Sequence, residues 1–286
     1  MAANPRFAKG WAALARANLD FAGNSVESPR PRIDAARAAV EKALALDERL
    51  PDAHVTLGLV EQSDWHWADA ERRYQRAVAL DPNLVIAHRV YARYLSQMGR
   101  HRDAEDEIRR ARQLDPASTG LVGIEGMLLA ASGRREQAIE LIRRATAAGA
   151  DVGHNVLGHV YLSAWRYDDA LPELRAAIRI DGETTSTLCY LAFALAKSGR
   201  RPEAEAILSK LTASTRYVSP MELGIVYMGL GDHEHALRLL EDAYTARDLQ
   251  LQFLGVDVTY DAIRSDPRYR DLMRRVGLPD WRRRAG

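Results

Sequence analysis

The chain has 286 residues, of which 47% are hydrophobic and 28% charged, a balance that allows a sizeable core and excludes extended disorder. Its 40 basic and 39 acidic side chains leave a formal net charge of +1, so no whole-molecule field draws in nucleic acid or an anionic membrane. The single cysteine, Cys189, excludes an intramolecular disulfide and a thiolate metal site and fits a reducing, cytoplasmic compartment, and no uncharged apolar run approaches the roughly 18 residues of a membrane span.

The first element is a helix carrying Trp11, Leu14 and Ala15. Gly, Asn, Ser and two prolines between Gly23 and Pro31 then mark a lengthened loop. Beyond it, small residues recur with a fixed period. Gly58, Ala92, Gly126, Gly158, Ala192 and Gly224 are spaced by 34, 34, 32, 34 and 32 residues. Ala70, Ala104, Ala138, Ala170, Ala204 and Ala236 repeat those spacings, as do Ala77, Ala111, Ala145, Ala177, Leu211 and Ala243, and Ala36 and Ala43 extend the register backwards. Three columns in one register define a repeated unit of two helices, A and B.

Within helix B the two small columns lie seven residues apart, close to two turns, and so share a face. Tyr74, Ile108, Ile142, Leu174, Leu208 and Leu240 stand between them and complete an apolar stripe. Leu57, Tyr91, Leu157, Leu191 and Leu223 precede the helix A column, with Glu125 as the exception, a soft point or a buried polar contact. The turn between helices carries Gly99, Gly133, Gly199 and Gly231, where a left-handed conformation suits glycine. Trp65 and Trp165 replace glycine in two units, and a different turn geometry is expected there. Leu46-Asp47, Leu80-Asp81, Leu114-Asp115 and Ile180-Asp181 end units, with Pro82 and Pro116 following as helix stops. At the C-terminus, Ser265 or Asp266 can cap a last helix that begins at Pro267 and ends at Gly277 and Pro279. That helix is expected to act as a polar lid, ahead of a basic tail over 281–286.

These offsets resemble the tetratricopeptide repeat. The run Asp64-Trp65-His66-Trp67-Ala68-Asp69-Ala70-Glu71 and the C-terminal segments Arg216 to Pro220, Phe253-Leu254, Val256-Asp257, Arg264 to Tyr269 and Gly277-Leu278-Pro279 are similar to bacterial arrays attached to winged-helix regulators, nucleotide cyclases and Ser/Thr kinases. Asn4-Pro5 falls where the linker proline of an earlier unit would lie, so the chain reads as starting in mid-array. The resemblance implies an all-α, right-handed α-solenoid of about seven helix-turn-helix units plus a C-terminal capping helix. As one domain over 1–286, its units fall near 8–47, 51–84, 85–118, 119–150, 151–184, 185–216 and 217–248, with the cap over 249–280.

The resemblance further implies that positions flanking the helix A column line a concave groove. The pairs are Arg16 with Ala12, Leu59 with Val55, Arg93 with Arg89, Met127 with Gly123, His159 with Asn155, Phe193 with Cys189, and Ile225 with Met221, with Gln62, Gln97 and Lys197 one turn further along. The expected partner-binding residues are therefore Arg16, Gln62, Arg89, Arg93, Gln97, Met127, Asn155, His159, Phe193 and Lys197. Such a mixed surface suits a protein or peptide with apolar anchors and carboxylates. The Lys and Asn arrangement with which some of these repeats grip a terminal carboxylate is missing, since Leu59, Val55, Met127 and Gly123 occupy its places.

No catalytic or metal set emerges. His233 and His235 point about 200° apart on a helix. Gly120, Gly123 and Gly126 follow no strand, and no Gly-x-Ser-x-Gly occurs. The expectation is an interaction scaffold without catalytic residues, metal or cofactor, not bound to nucleic acid or membrane. The alternative is the sensor module of a signalling or transcription regulator; a small-molecule binder or an enzyme ranks below both.

Overall fold

The computed structural model describes residues 7–23, 28–150 and 152–280. Helices alternate along the chain in pairs: α1 (Ala8–Gly23) and α2 (Arg30–Leu46), α3 (Pro51–Ser63) and α4 (Trp67–Leu80), α5 (Val85–Gln97) and α6 (His101–Leu114), α7 (Thr119–Ala131) and α8 (Arg135–Ala147). They continue as α9 (His154–Ser163) and α10 (Tyr167–Asp181), α11 (Thr185–Lys197) and α12 (Arg201–Thr212), and α13 (Pro220–Leu230) and α14 (His233–Thr245). Two short 3-10 segments follow, η1 (Leu249–Phe253) and η2 (Val258–Ile263), and α15 (Pro267–Val276) closes the series. No strand occurs among the described residues. The result is an all-α solenoid. The central part of the lengthened first loop, 24–27, and the basic tail over 281–286 lie outside the described residues.

The small columns explain why the helices pair so closely. Ala36, Ala70, Ala104, Ala138, Ala170, Ala204 and Ala236 are almost wholly sealed from solvent. The helix A column is tighter still. A Cβ added to Gly58 would stand 2.5 Å from Cε1 of Tyr74, one added to Gly126 2.6 Å from Cδ1 of Ile142, and one added to Gly158 2.8 Å from Cδ2 of Leu174. In each case the large residue of the partner helix B fills the space that the missing side chain leaves.

Six inter-helix turns share one device. The amide after the turn residue donates back into the preceding helix: His66 to Glu61 O, Arg100 to Leu95 O, Arg134 to Leu129 O, Arg166 to Tyr161 O, Arg200 to Leu195 O and Asp232 to Tyr227 O, all between 2.8 and 3.0 Å. This six-to-one bond requires a left-handed residue just before it, which Gly99, Gly133, Gly199 and Gly231 supply. The two tryptophans correct the expectation of a different geometry. Trp65 has φ 63° and Trp165 φ 57°, so both adopt the glycine conformation and leave the turn unchanged.

The chain forms two compact units, residues 1–94 with 106–116 and residues 95–105 with 117–286, the division falling inside α5 and α6. In the first unit α1 packs on α2 and α3, and α3 on α4. In the second, α7 packs on α8 and α9, α9 on α10, α11 on α12 and α13, and α13 on α14. There α15 lies against α14, with the Arg268 guanidinium donating to both Glu234 oxygens at 2.8 Å and Arg275 paired with Glu241. Asp266, rather than Ser265, caps α15 by accepting from the Arg268 amide at 2.8 Å, and Gly277 ends it at φ 81°.

Candidate functional site

Arg16 of α1 lies within electrostatic reach of Arg89 on α5, two of the residues expected to line a groove in the first unit. Arg16 projects from α1, and Arg89 and Arg93 stand one turn apart on α5. Arg16 donates to Asp20 at 3.0 Å. Arg89 is half-buried and makes no ion pair among the described residues. Burial lowers its pKa from the usual guanidinium value, the positive charges of Arg16 and Arg93 lower it further, and Asp20 alone raises it. Arg93 is open to solvent yet walled in by surrounding protein, and desolvation lowers its pKa too, against a small opposing effect of Tyr74. Arg89 thus has two guanidiniums and the Asp20 carboxylate within electrostatic reach. Arg89 gains when a negative group arrives, because it is held charged beside two like charges.

Beside Arg16 lies a cavity of about 570 Å³. Ala12, Val55 and Ile86 give it apolar walls, while Lys9, Arg16 and Asp52 supply charge. Its volume is within the range of ordinary ligand pockets. Lys9 was not singled out in the sequence, although a signal existed: it precedes Arg16 by seven residues and therefore shares its face. Asp20 and Asp52 carried no such signal.

Several expected contacts are corrected by burial. Gln62 is only 5% exposed and accepts a 2.6 Å hydrogen bond from the Tyr74 hydroxyl, so it orients the core rather than facing a partner. Gln97 and Phe193 are likewise buried. Phe193 packs edge-on against Tyr167, with ring centroids 5.9 Å apart, and the Lys197 ammonium sits 5.6 Å from its ring centroid. Lys197 itself is exposed, whereas Met127 and Glu125 are partly so. Sequence register gives the angle of a side chain around its helix, not its depth.

In the second unit Asn155 and His159 lie one turn apart on α9. Asn155 Oδ1 and His159 Nε2 are closed off from solvent and have no hydrogen-bond partner among the described residues. Burial lowers the His159 pKa to about 4, with Asp257 pulling weakly the other way. The imidazole is therefore neutral at physiological pH. Its ring lies 4.1 Å from that of Tyr190.

Other histidines belong to the repeat. His88 Nδ1 meets Glu107 at 2.6 Å, and His154 Nδ1 meets Glu173 at 2.6 Å in the corresponding place. His54 and His88 both use Nε2 on a carbonyl of the preceding turn, Glu48 and Pro82, at 2.9 Å. These bonds tie a helix A start to its surroundings. The His233–Glu234–His235 run is occupied locally too, His235 bonding Asp232 at 2.6 Å and Glu234 holding Arg268. Among the described residues no group of three His, Cys, Asp or Glu is placed to hold a metal ion, and no helix is long and apolar enough to cross a membrane.

The tetratricopeptide repeat family model matches residues 186–210 and 221–242. Among solved structures, a thermophilic TPR protein of Thermus thermophilus is 21% identical, with 63% of this chain and 98% of that chain covered and a TM-score of 0.54. A tetratricopeptide repeat protein from Parabacteroides merdae is 14% identical, with 86% and 99% covered and a TM-score of 0.52. The human IFIT1 dimer with PPP-AAAA is 17% identical, with 89% of this chain and 62% of that chain covered and a TM-score of 0.60. No curated protein matches the sequence.

Proposed function

We propose that this chain, which matches the tetratricopeptide repeat model over residues 186–210 and 221–242 and is similar in fold to tetratricopeptide repeat proteins, is a non-catalytic protein-interaction scaffold, and that its first unit takes an acidic peptide segment beside Arg16 on α1 and Arg89 on α5. The observation that carries this reading is that Arg16 and Arg93 both act as like charges on the half-buried Arg89, with Asp20 opposing them, beside a cavity at Arg16 able to receive an apolar side chain. A peptide carboxylate would relieve the repulsion among the guanidiniums, and an apolar anchor would gain from leaving water. Cytoplasmic action belongs to the same reading, which draws there on the unpaired, buried Cys189.

The test is calorimetric titration of the full chain with a peptide alternating Asp or Glu with Leu or Phe. The double reversal Arg89→Glu and Arg93→Glu is expected to weaken binding by about tenfold or more, equivalent to about 1.4 kcal/mol, while the helical circular-dichroism signal stays unchanged. Equal affinity for both proteins would remove the arginine cluster from the site. An oligonucleotide of the PPP-AAAA kind named with human IFIT1, added in the same titration, tests the competing ligand class. If it bound more tightly than the peptide, the partner would be a nucleic acid.

A further inference from the structure

The helices set a rule for what an element touches. α3 touches α1 and α2 before it, α9 touches α7 and α8, and α13 touches α11 and α12. After α14, η1 obeys the rule by touching α13 and α14. η2 does not. It touches α13 and also α9, while α11, which touches both of those helices, lies between them. The backbone over 249–263 therefore doubles back across the odd-helix side of the fifth to seventh pairs, which is the surface a partner was expected to use.

The segment is held there as a bound peptide would be. The Tyr190 hydroxyl on α11 donates to Asp257 Oδ2 at 3.0 Å. The other oxygen of Asp257 accepts from the Thr259 amide at 2.9 Å and hydroxyl at 2.7 Å, which fixes the local turn. Tyr260 is wholly buried, and its hydroxyl donates to the Met221 carbonyl on α13. It stands over Gly224, where an added Cβ would come within 2.5 Å of the hydroxyl oxygen. The contact thus combines one carboxylate, one aromatic anchor and a slot opened by a glycine. Beneath it on α9, Asn155 Oδ1 and His159 Nε2 are closed off from solvent without a hydrogen-bond partner among the described residues.

We propose that residues 249–263 are an internal ligand occupying a peptide-binding surface on α9, α11 and α13, and that an outside peptide with a carboxylate three residues before an aromatic side chain takes their place. This surface is separate from the arginine cluster of the first unit, so either proposal can fail alone. It assigns the second unit a partner of defined chemistry. It also accounts for the Tyr260 hydroxyl lying on the carbonyl of the buried Met221.

The probe is a fluorescein-labelled peptide with the sequence of residues 249–263, titrated into the full chain by fluorescence anisotropy. Asp257→Ala loosens the internal segment but leaves Tyr190 in place, so the variant should bind the labelled peptide about tenfold more tightly than the unaltered chain. Adding Tyr190→Phe should abolish that gain, because the outside peptide then loses the same anchor. Equal binding by the unaltered chain and Asp257→Ala, or a gain that survives Tyr190→Phe, would overturn the proposal. A second measurement needs no variant. With the peptide at saturating concentration, amide hydrogen exchange within 249–263 of the unaltered chain should accelerate as the segment is displaced; unchanged exchange there would equally overturn it.

Discussion

Trp65 and Trp165 occupy the same left-handed turn position but have different surroundings. Left-handed backbone costs an L-residue roughly 1–2 kcal/mol, which some compensating contact must offset. For Trp65 the compensation is burial, since it is 8% exposed. Trp165 is 53% exposed, and its main contact is the Arg135 guanidinium 4.2 Å from its ring centroid, an interaction of about 0.5–1 kcal/mol at an exposed site. Replacement by glycine should therefore separate them. Trp65→Gly is expected to destabilise by roughly 2–4 kcal/mol, because lost burial outweighs relieved strain. Trp165→Gly should stay within about 1 kcal/mol of the unaltered chain. Urea denaturation followed by circular dichroism distinguishes the outcomes. A second residue-scale prediction concerns close packing. Gly58→Ala, with its Cβ against Tyr74, should cost about 1–3 kcal/mol, whereas Gly120→Ala meets nothing nearer than Ser118 Oγ at 4.0 Å and should be neutral or stabilising by up to about 1 kcal/mol.

Among the elements, α13 carries the most unusual charge. Glu222 is 5% exposed, and its pKa is pushed up to about 7 by burial, opposed by a Ser186 hydrogen bond and assisted by Asp248 and Asp257. A carboxyl whose pKa rises on folding favours the protonated folded state, so its contribution is fully present below the unfolded pKa and is lost as pH rises through about 7. The chain should therefore gain on the order of 1 kcal/mol between pH 8 and pH 6.5 from this group. Asp248, raised by burial, acts in the same direction at lower pH. His159 opposes both below its ordinary value, because its folded pKa is depressed. Denaturation at pH 8 and pH 6.5 should show that Glu222→Gln removes most of the gain; an identical slope in the variant would place the proton elsewhere. None of this was legible in the sequence. Glu222 reads as an ordinary first-turn acid of α13, and its pKa is set by burial and by neighbours distant in the chain, Ser186 on α11 and Asp248 and Asp257 after α14.

At the scale of the whole molecule, the seven helix pairs were legible because one physical requirement repeats: a small residue on helix A must admit a large one from helix B, as Gly58 does for Tyr74 and Gly158 for Leu174. The cap was legible for a similar reason, with Asp266, Pro267 and Gly277 marking both ends of α15. Depth and long-range return were not. Gln62 occupies a groove-like register but turns to the Tyr74 hydroxyl, and the approach of η2 to α9 joins segments far apart in the chain with no periodic signal. Of the expected site residues, Arg16 and Arg93 both lie within electrostatic reach of Arg89, while Gln97 and Phe193 are buried. The near-neutral net charge also conceals this local excess. Binding there should weaken as salt rises from 0.05 to 0.5 M, because partly exposed charges are screened over about 10 Å at 0.1 M. The most direct measurement is hydrogen–deuterium exchange of the full chain with the acidic peptide at saturation. The expected result is slowed exchange in α1, α3 and residues 85–94, lost when Arg89 and Arg93 are both reversed to Glu. Slowed exchange elsewhere, with those segments unchanged, would contradict a peptide site at the arginine cluster.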